Sequence, residues 1–322
     1  MKRYNLSWGN PYFLTKLLDE SYTQSLKLND ISSMVYGPDE GVQEMIDLVK
    51  YSIKETTGLE YNHILIVPGA TSGINSCLRY FKNSKGKDLV ITNKYGYPFY
   101  DEMIKKAGLE RFDELKSIVE VGTRSIVLVD SPSNPFGTQI KERLDFVSPS
   151  KIIWDSVYHN IIYTTDLITY PQHDIMVGSF SKLLGVAGTR IGWIATNKPF
   201  LYEMLKAENL YETATVSIPS QNLLIDILEK LDLQNFMING KRILDNNRDE
   251  LSKLSGLFAN QPVQESGMFY CAKADQKLRD LIDRVGVDIV SLDEEYVRIS
   301  MGQTNEITKE AVNAILKEDK SE

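Results

Sequence analysis

Cysteine and histidine are scarce in this chain, two of the one and three of the other in 322 residues. Cys77 and Cys271 stand far apart and form no CxxC pattern. That argues against a structural disulfide or a zinc site and fits a reducing compartment. His63, His159 and His173 show no metal-ligand spacing. Basic residues are outnumbered, 36 against 44 acidic, for a formal net charge of −8. No extended basic block occurs, so nucleic acid is not expected as a partner. No apolar stretch is long enough to span a bilayer, so no membrane partner is expected either. The opening Met1-Lys2-Arg3-Tyr4-Asn5-Leu6-Ser7 is basic without a following apolar run. A cytoplasmic location is the expectation.

Hydrophobic residues make up 42% of the chain and charged ones 25%, enough for a substantial core. Short β-rich runs alternate with turns and helical patterns over the first two thirds. His63 to Val67 reads as a strand, turning through Pro68-Gly69-Ala70-Thr71-Ser72-Gly73 into a helix that reaches about Phe81. Asp88 to Thr92, Ser125 to Asp130, Lys151 to Trp154 and Ile175 to Ser179 read as further strands, with a helix around Tyr100 to Ala107. This order predicts an α/β fold, a mainly parallel sheet sandwiched by helices, with ligands bound beyond the carboxyl ends of the strands. Beyond Trp193 the pattern changes to helices at Gln221 to Leu231 and Leu233 to Leu254, then short strands and two more helices. A smaller α+β domain is expected there. The predicted division is a large domain over 30–232 and a small one from 1–29 with 233–322.

Lys182 sits in Ser179-Phe180-Ser181-Lys182-Leu183-Leu184-Gly185-Val186-Ala187-Gly188-Thr189-Arg190-Ile191-Gly192-Trp193, at or just past a strand end. A serine three positions before it and an arginine eight after suit a lysine that forms a Schiff base with an aldehyde cofactor. The hydroxyl and guanidinium would hold that cofactor's phosphate. Gly69-Ala70-Thr71-Ser72-Gly73 opens a helix after a strand, where backbone N–H groups and hydroxyls make an anion site or simply cap the helix. Asp155-Ser156-Val157-Tyr158 places a carboxylate at a strand end, fit for a turn or for a protonated pyridine nitrogen. Asn134 and Pro135 stand in the turn Ser131-Pro132-Ser133-Asn134-Pro135-Phe136-Gly137-Thr138. Tyr95 and Tyr97 offer two aromatic rings at another strand end, either of which suits stacking on a ring. Arg298, in the run Tyr296 to Ser300, suits bidentate grip of a carboxylate or an exposed strand position.

Taken together, these segments resemble the fold-type I pyridoxal-phosphate enzymes of the aspartate aminotransferase superfamily. The Lys182 segment is similar to that of the alliinase and tryptophan aminotransferase branch. The resemblance implies pyridoxal 5'-phosphate as cofactor and Lys182 as its Schiff-base lysine. It implies phosphate contacts from Ala70, Thr71, Ser179 and Arg190, and stacking by Tyr97, with Tyr95 as the alternative. Asp155 would face the pyridine nitrogen, Asn134 and Tyr158 the phenolic oxygen, and Arg298, with Asn134, the substrate carboxylate. Tyr36, in Tyr36-Gly37-Pro38-Asp39-Glu40-Gly41, would reach the phosphate of a neighbouring subunit and so implies a homodimer with shared active sites.

The implied reaction is ping-pong transamination of an L-amino acid to its 2-oxo acid. The alternatives are a β-eliminating C–S lyase, or a decarboxylase or cyclase of a specialised pathway. The opening Asn5-Leu6-Ser7-Trp8-Gly9-Asn10-Pro11 is similar to the substrate-side segment of the same alliinase and tryptophan aminotransferase branch but carries Asn where an acidic residue is common. Trp8, Tyr12 and Phe13 either line an apolar entrance or dock the terminus to the body.

Overall fold

Ser125 to Asp130 form a strand in which every residue is buried, and the larger sheet is built around it. A strand covered on both faces reads as a continuous apolar run, as SIVLVD does here. The computed structural model describes residues 2–7, 9–22, 35–113, 124–139, 147–165 and 172–320. Within them the chain opens with β1 (Tyr4–Asn5), α1 (Tyr12–Ser21) and α2 (Gln43–Thr57), then β2 (His63–Val67) and α3 (Ala70–Lys85). Next come β3 (Leu89–Ile91), α4 (Tyr100–Lys106), β4 (Glu110–Phe112), β5 (Ser125–Asp130) and β6 (Ile152–Asp155). β7 (Ile175–Ser179), the short α5 (Phe180–Leu183), β8 (Gly192–Thr196), α6 (Pro199–Thr213) and α7 (Ile218–Lys230) follow. The carboxyl-terminal part holds α8 (Leu233–Ser252), β9 (Phe269–Lys273), α9 (Gln276–Arg284), β10 (Val287–Asp288), β11 (Val290–Ser291), β12 (Tyr296–Ser300) and α10 (Asn305–Asp319).

Seven strands form one sheet in the order β2-β8-β7-β6-β5-β3-β4. The pairs from β7 to β4 are parallel, while β8 runs antiparallel to both β2 and β7. The mainly parallel α/β sheet expected from the sequence is therefore present. Two of its strands, β4 and β8, were not foreseen. The first strand turn of β6 also differs, since Pro149–Lys151 is a 3-10 turn and the strand runs on to Asp155. On one face the sheet packs against α3, α4 and α6 through Leu78, Tyr100 and Leu205. On the other it meets α2, α7 and α8 through Met45, Leu224 and Phe236. Each such fully buried side chain contributes roughly 1.5–3 kcal/mol of transfer free energy.

β9, β11 and β12 form a small antiparallel sheet in the order β11-β12-β9, while β1 pairs in parallel with β10. The amino-terminal segment is stitched on further by the Ser300 N–H, which donates to the Leu6 carbonyl at 2.7 Å. Phe13 is 1% exposed and lies in the core, so it docks the terminus. Trp8 lies outside the described residues. Among the described residues no helix is long and apolar enough to cross a membrane.

Candidate active site

A cavity of about 260 Å³ opens beyond the carboxyl ends of β5, β6 and β7. Its walls include Ala70, Thr71, Tyr97, Asn134, Asp155, Tyr158, Ser179, Lys182 and Arg190, residues drawn from six separate segments of the sequence. Convergence at this edge is what parallel strands and strand-to-helix turns produce.

Lys182 lies on the one-turn helix α5, which Ser179 caps by accepting the Ser181 N–H at 3.0 Å. The Tyr163 hydroxyl donates to the Lys182 carbonyl at 2.9 Å and fixes the turn from below. Burial pushes the Lys182 ammonium down to about 8, and the nearby guanidinium groups of Arg190 and Arg298 push the same way. An amine so placed is a nucleophile and a base near neutral pH.

The start of α3 and Arg190 form the cationic end. Arg190 adopts a left-handed backbone (φ 56°) and donates to the carbonyls of Ala187 at 3.1 Å and Pro68 at 3.4 Å. Gly69, at φ 82°, makes this possible, because a Cβ there would stand 2.8 Å from the Arg190 Nη2. The guanidinium thus lies across the first turn of α3, where the leading N–H groups have no intrahelical acceptor. Ser179 has its hydroxyl engaged locally, at 2.7 Å from the Ser181 Oγ and 3.2 Å from the Ile191 carbonyl. Ser181 lines the cavity as well.

The opposite end carries two buried carboxylates. Asp155 accepts from the Tyr100 hydroxyl at 2.7 Å and from the Val157 N–H at 3.1 Å. Burial raises its pKa, and these two hydrogen bonds hold it down. Asp130, its register partner on β5, is pushed up to about 7 by burial, with the Asn134 N–H acting against that and Asp155 adding to it. Sequence reading passed over Asp130, Tyr100 and Ser181. Asp130 ends a buried strand, which was a usable signal under the strand-end rule.

Tyr97 lines the cavity and meets Tyr100 edge-on at 5.7 Å. Tyr95 instead packs on Phe136 and Tyr296 and donates its hydroxyl to Asp293. Tyr158 is buried between Tyr163 and Phe269, with its hydroxyl beside Gly9. Burial raises its pKa and Arg298 opposes that. Arg298 is 6% exposed, so the exposed-strand alternative does not hold. It stacks over Phe269 at 4.3 Å, donating to the Asn134 Oδ1 at 3.1 Å and to the Ser7 carbonyl at 3.0 Å. It does not line the cavity itself and reaches its edge through Asn134. Asn10 lines the cavity directly. Tyr36 lies elsewhere, 85% exposed in a groove with Thr215, Val216 and Ile218.

Pyridoxal phosphate needs an anion site, an amine, a flat neighbour and a carboxylate for its ring nitrogen. The residues present fit that demand. Arg190 and the first turn of α3 form one end, a buried hydrogen-bonded carboxylate closes the other, and the Lys182 amine stands on the wall between them.

The family model for aminotransferase class I and II matches residues 2–315. The chain is 24% identical over 344 residues to a (5-formylfuran-3-yl)methyl phosphate transaminase of Methanocaldococcus jannaschii, covering 98% of this chain and 90% of that protein. It superposes on the aromatic aminotransferase of Pyrococcus horikoshii with a TM-score of 0.78 at 19% identity, covering 99% of this chain and 96% of that one. For the aspartate aminotransferase of Thermotoga maritima the TM-score is also 0.78 at 19% identity, covering 99% and 92%. Elimination, decarboxylation and cyclisation are not favoured by this family match. With the match running across nearly the whole sequence and the site built as it is, the chain belongs to the class I and II aminotransferases, the pyridoxal-phosphate-dependent enzymes of fold type I.

Proposed function

We propose that this aminotransferase works by a ping-pong exchange in which an L-amino acid gives up its amino group and a 2-oxo acid collects it, with Lys182 as the residue that makes and breaks the link to the cofactor. The observation that carries this reading is the buried Lys182 amine, held down to about 8 between the Arg190 and Asp155 ends of one cavity.

Bound, pyridoxal phosphate supplies an aldehyde for amines and a ring that draws electrons from the neighbouring carbon. The N–H groups of Ala70 and Thr71, the Ser179 hydroxyl and the Arg190 guanidinium would hold its phosphate. Asp155 would keep the ring nitrogen protonated, Tyr97 would cover the ring face, and Asn134 and Tyr158 would donate to the phenolic oxygen. The Arg298 fork would grip the substrate carboxylate and keep it from leaving, so that the α-proton is what departs. Lys182 Nζ, free once the amino acid is bound, would take that proton and hand it on across the transferred nitrogen.

The reading extends to assembly and layout. Tyr36 and its exposed groove would sit against a second copy, completing the partner's phosphate site in a homodimer. The chain would divide into a large domain over 30–232 and a small one from 1–29 with 233–322. A cytoplasmic location accompanies the reading.

Replacing Lys182 tests it. The purified protein loaded with pyridoxal phosphate is expected to show a visible absorption band and to turn over amino acids. Lys182→Ala is expected to lose turnover and to shift that band to shorter wavelength while still binding the cofactor. Turnover retained in Lys182→Ala would overturn the assignment.

A further inference from the structure

We infer that Asp130 is a positioning residue, whose carboxylate sets the turn that presents Asn134 to the cavity and to Arg298. The inference rests on the reading of Asn134 and Arg298 given above. The turn after β5 has unusual need of a side-chain anchor. Pro132 and Pro135 bring no N–H to it, and a buried turn must find partners for the donors it has. The Ser131 N–H goes to the Asp155 carbonyl at 3.3 Å and the Ser133 N–H to the Thr138 carbonyl at 2.9 Å. The Asn134 N–H is held by the Asp130 Oδ2 at 2.7 Å, a buried contact.

The other Asp130 oxygen accepts from the Asn93 side chain at 3.3 Å, so the carboxylate is itself braced from the loop after β3. Farther along, Gly137 packs so tightly on Ser266 that a Cβ would stand 1.9 Å from its carbonyl oxygen. The turn is thus pinned at both ends. What it carries is the Asn134 side chain, whose Oδ1 accepts from Arg298 at 3.1 Å. With that oxygen taken, the amide N–H₂ is the group left to donate. Asp130 is 3% exposed and Asn134 6%, and both line the cavity, so a shift of the turn moves a group that faces the ligand.

The test measures binding of 2-methylalanine to the cofactor-loaded protein, followed by the change in visible absorption. This probe has a carboxylate and an amine but no α-hydrogen, so it binds without turnover. Asp130→Ala is expected to weaken it about tenfold, as loss of one buried hydrogen bond does. Asp130→Asn, which keeps an acceptor for the Asn134 N–H, is expected to restore most of that affinity. Asn134→Ala is expected to weaken binding similarly, and the double variant no further than Asn134→Ala alone.

Asp130→Ser, too short to reach the turn, replaces the alanine variant if that one does not fold. A weakened Asn134→Ala beside unaltered alanine and serine variants, effects that add in full, or no rescue by Asp130→Asn would overturn the inference alone. Wild-type affinity in Asn134→Ala would instead overturn the reading of Asn134, and the inference with it.

Discussion

The Tyr100 hydroxyl donates to the Asp155 Oδ2 at 2.7 Å, with both groups buried. Tyr100 opens α4, Asp155 closes β6, and 55 residues separate them in the chain. The bond stabilises the charged carboxylate against the burial that raises its pKa. In the proposed reading it would support the charge that a protonated ring nitrogen requires.

Tyr100→Phe removes that donor and keeps the ring that packs on Tyr97. The Asp155 pKa should rise further, and kcat/KM should fall about tenfold, the worth of one such bond. The variant should still fold, losing about 1–3 kcal/mol at most. Steady-state kinetics beside thermal denaturation checks this. Wild-type kcat/KM would mean that Asp155 needs no help from Tyr100.

Arg298 acts through geometry as well as charge, since its two terminal nitrogens serve Asn134 and the Ser7 carbonyl at once. Arg298→Lys keeps the charge and loses the fork. The amino-acid KM should rise about tenfold or more, with a smaller change in kcat. The visible band of the loaded protein should be unaltered. A lysine variant with wild-type KM would remove Arg298 from substrate binding.

Lys182 makes the cofactor-free protein less stable than it would otherwise be. Its pKa is about 8 in the folded protein against 10.5 for an ordinary lysine, so the folded state disfavours the ammonium. Between those values the unfolded chain binds more protons, and wild-type stability rises with pH. Below about pH 8 the penalty is present in full. Lys182→Met should stabilise the cofactor-free protein at pH 7 by about 1–3 kcal/mol, and by less at pH 10. Unfolding curves at the two pH values decide it. A difference that does not change with pH would contradict the burial argument.

Tyr36, 85% exposed, belongs by this account to the partner's site. Lys182→Ala and Tyr36→Ala should then each be impaired alone. Unfolded and refolded together, they should recover activity, because one dimer in two is mixed and holds one intact site. The ceiling is about a quarter of wild-type sites. No recovery in a mixture shown to contain mixed dimers would place Tyr36 outside any shared site.

The parts legible in the sequence are those that chain order carries. Strand-turn-helix repeats announced the sheet, and four of the candidate groups sat at or just past a strand end: Thr71 after β2, Asn134 after β5, Asp155 at the end of β6, Lys182 after β7. What stayed hidden depends on register and packing between distant segments. Asp130 stands beside Asp155 only because β5 and β6 pair in that register. Tyr100 matters only because α4 packs where its hydroxyl meets β6. Arg298 reads equally well as an exposed strand residue until Phe269 is placed under it by the pairing of β12 with β9. β8 begins at a glycine after an irregular segment, so no helical crossover announced its reversed direction.

The most direct measurement of the central claim is the absorption spectrum of the cofactor-loaded protein through two separate half-reactions. Pooled L-amino acids are added first, then, after their removal, a 2-oxo acid. The account predicts a visible band that bleaches with the amino acids and returns with the oxo acid, without release of ammonia. A band that persists while ammonia and a 2-oxo acid accumulate would contradict it and identify an eliminating enzyme.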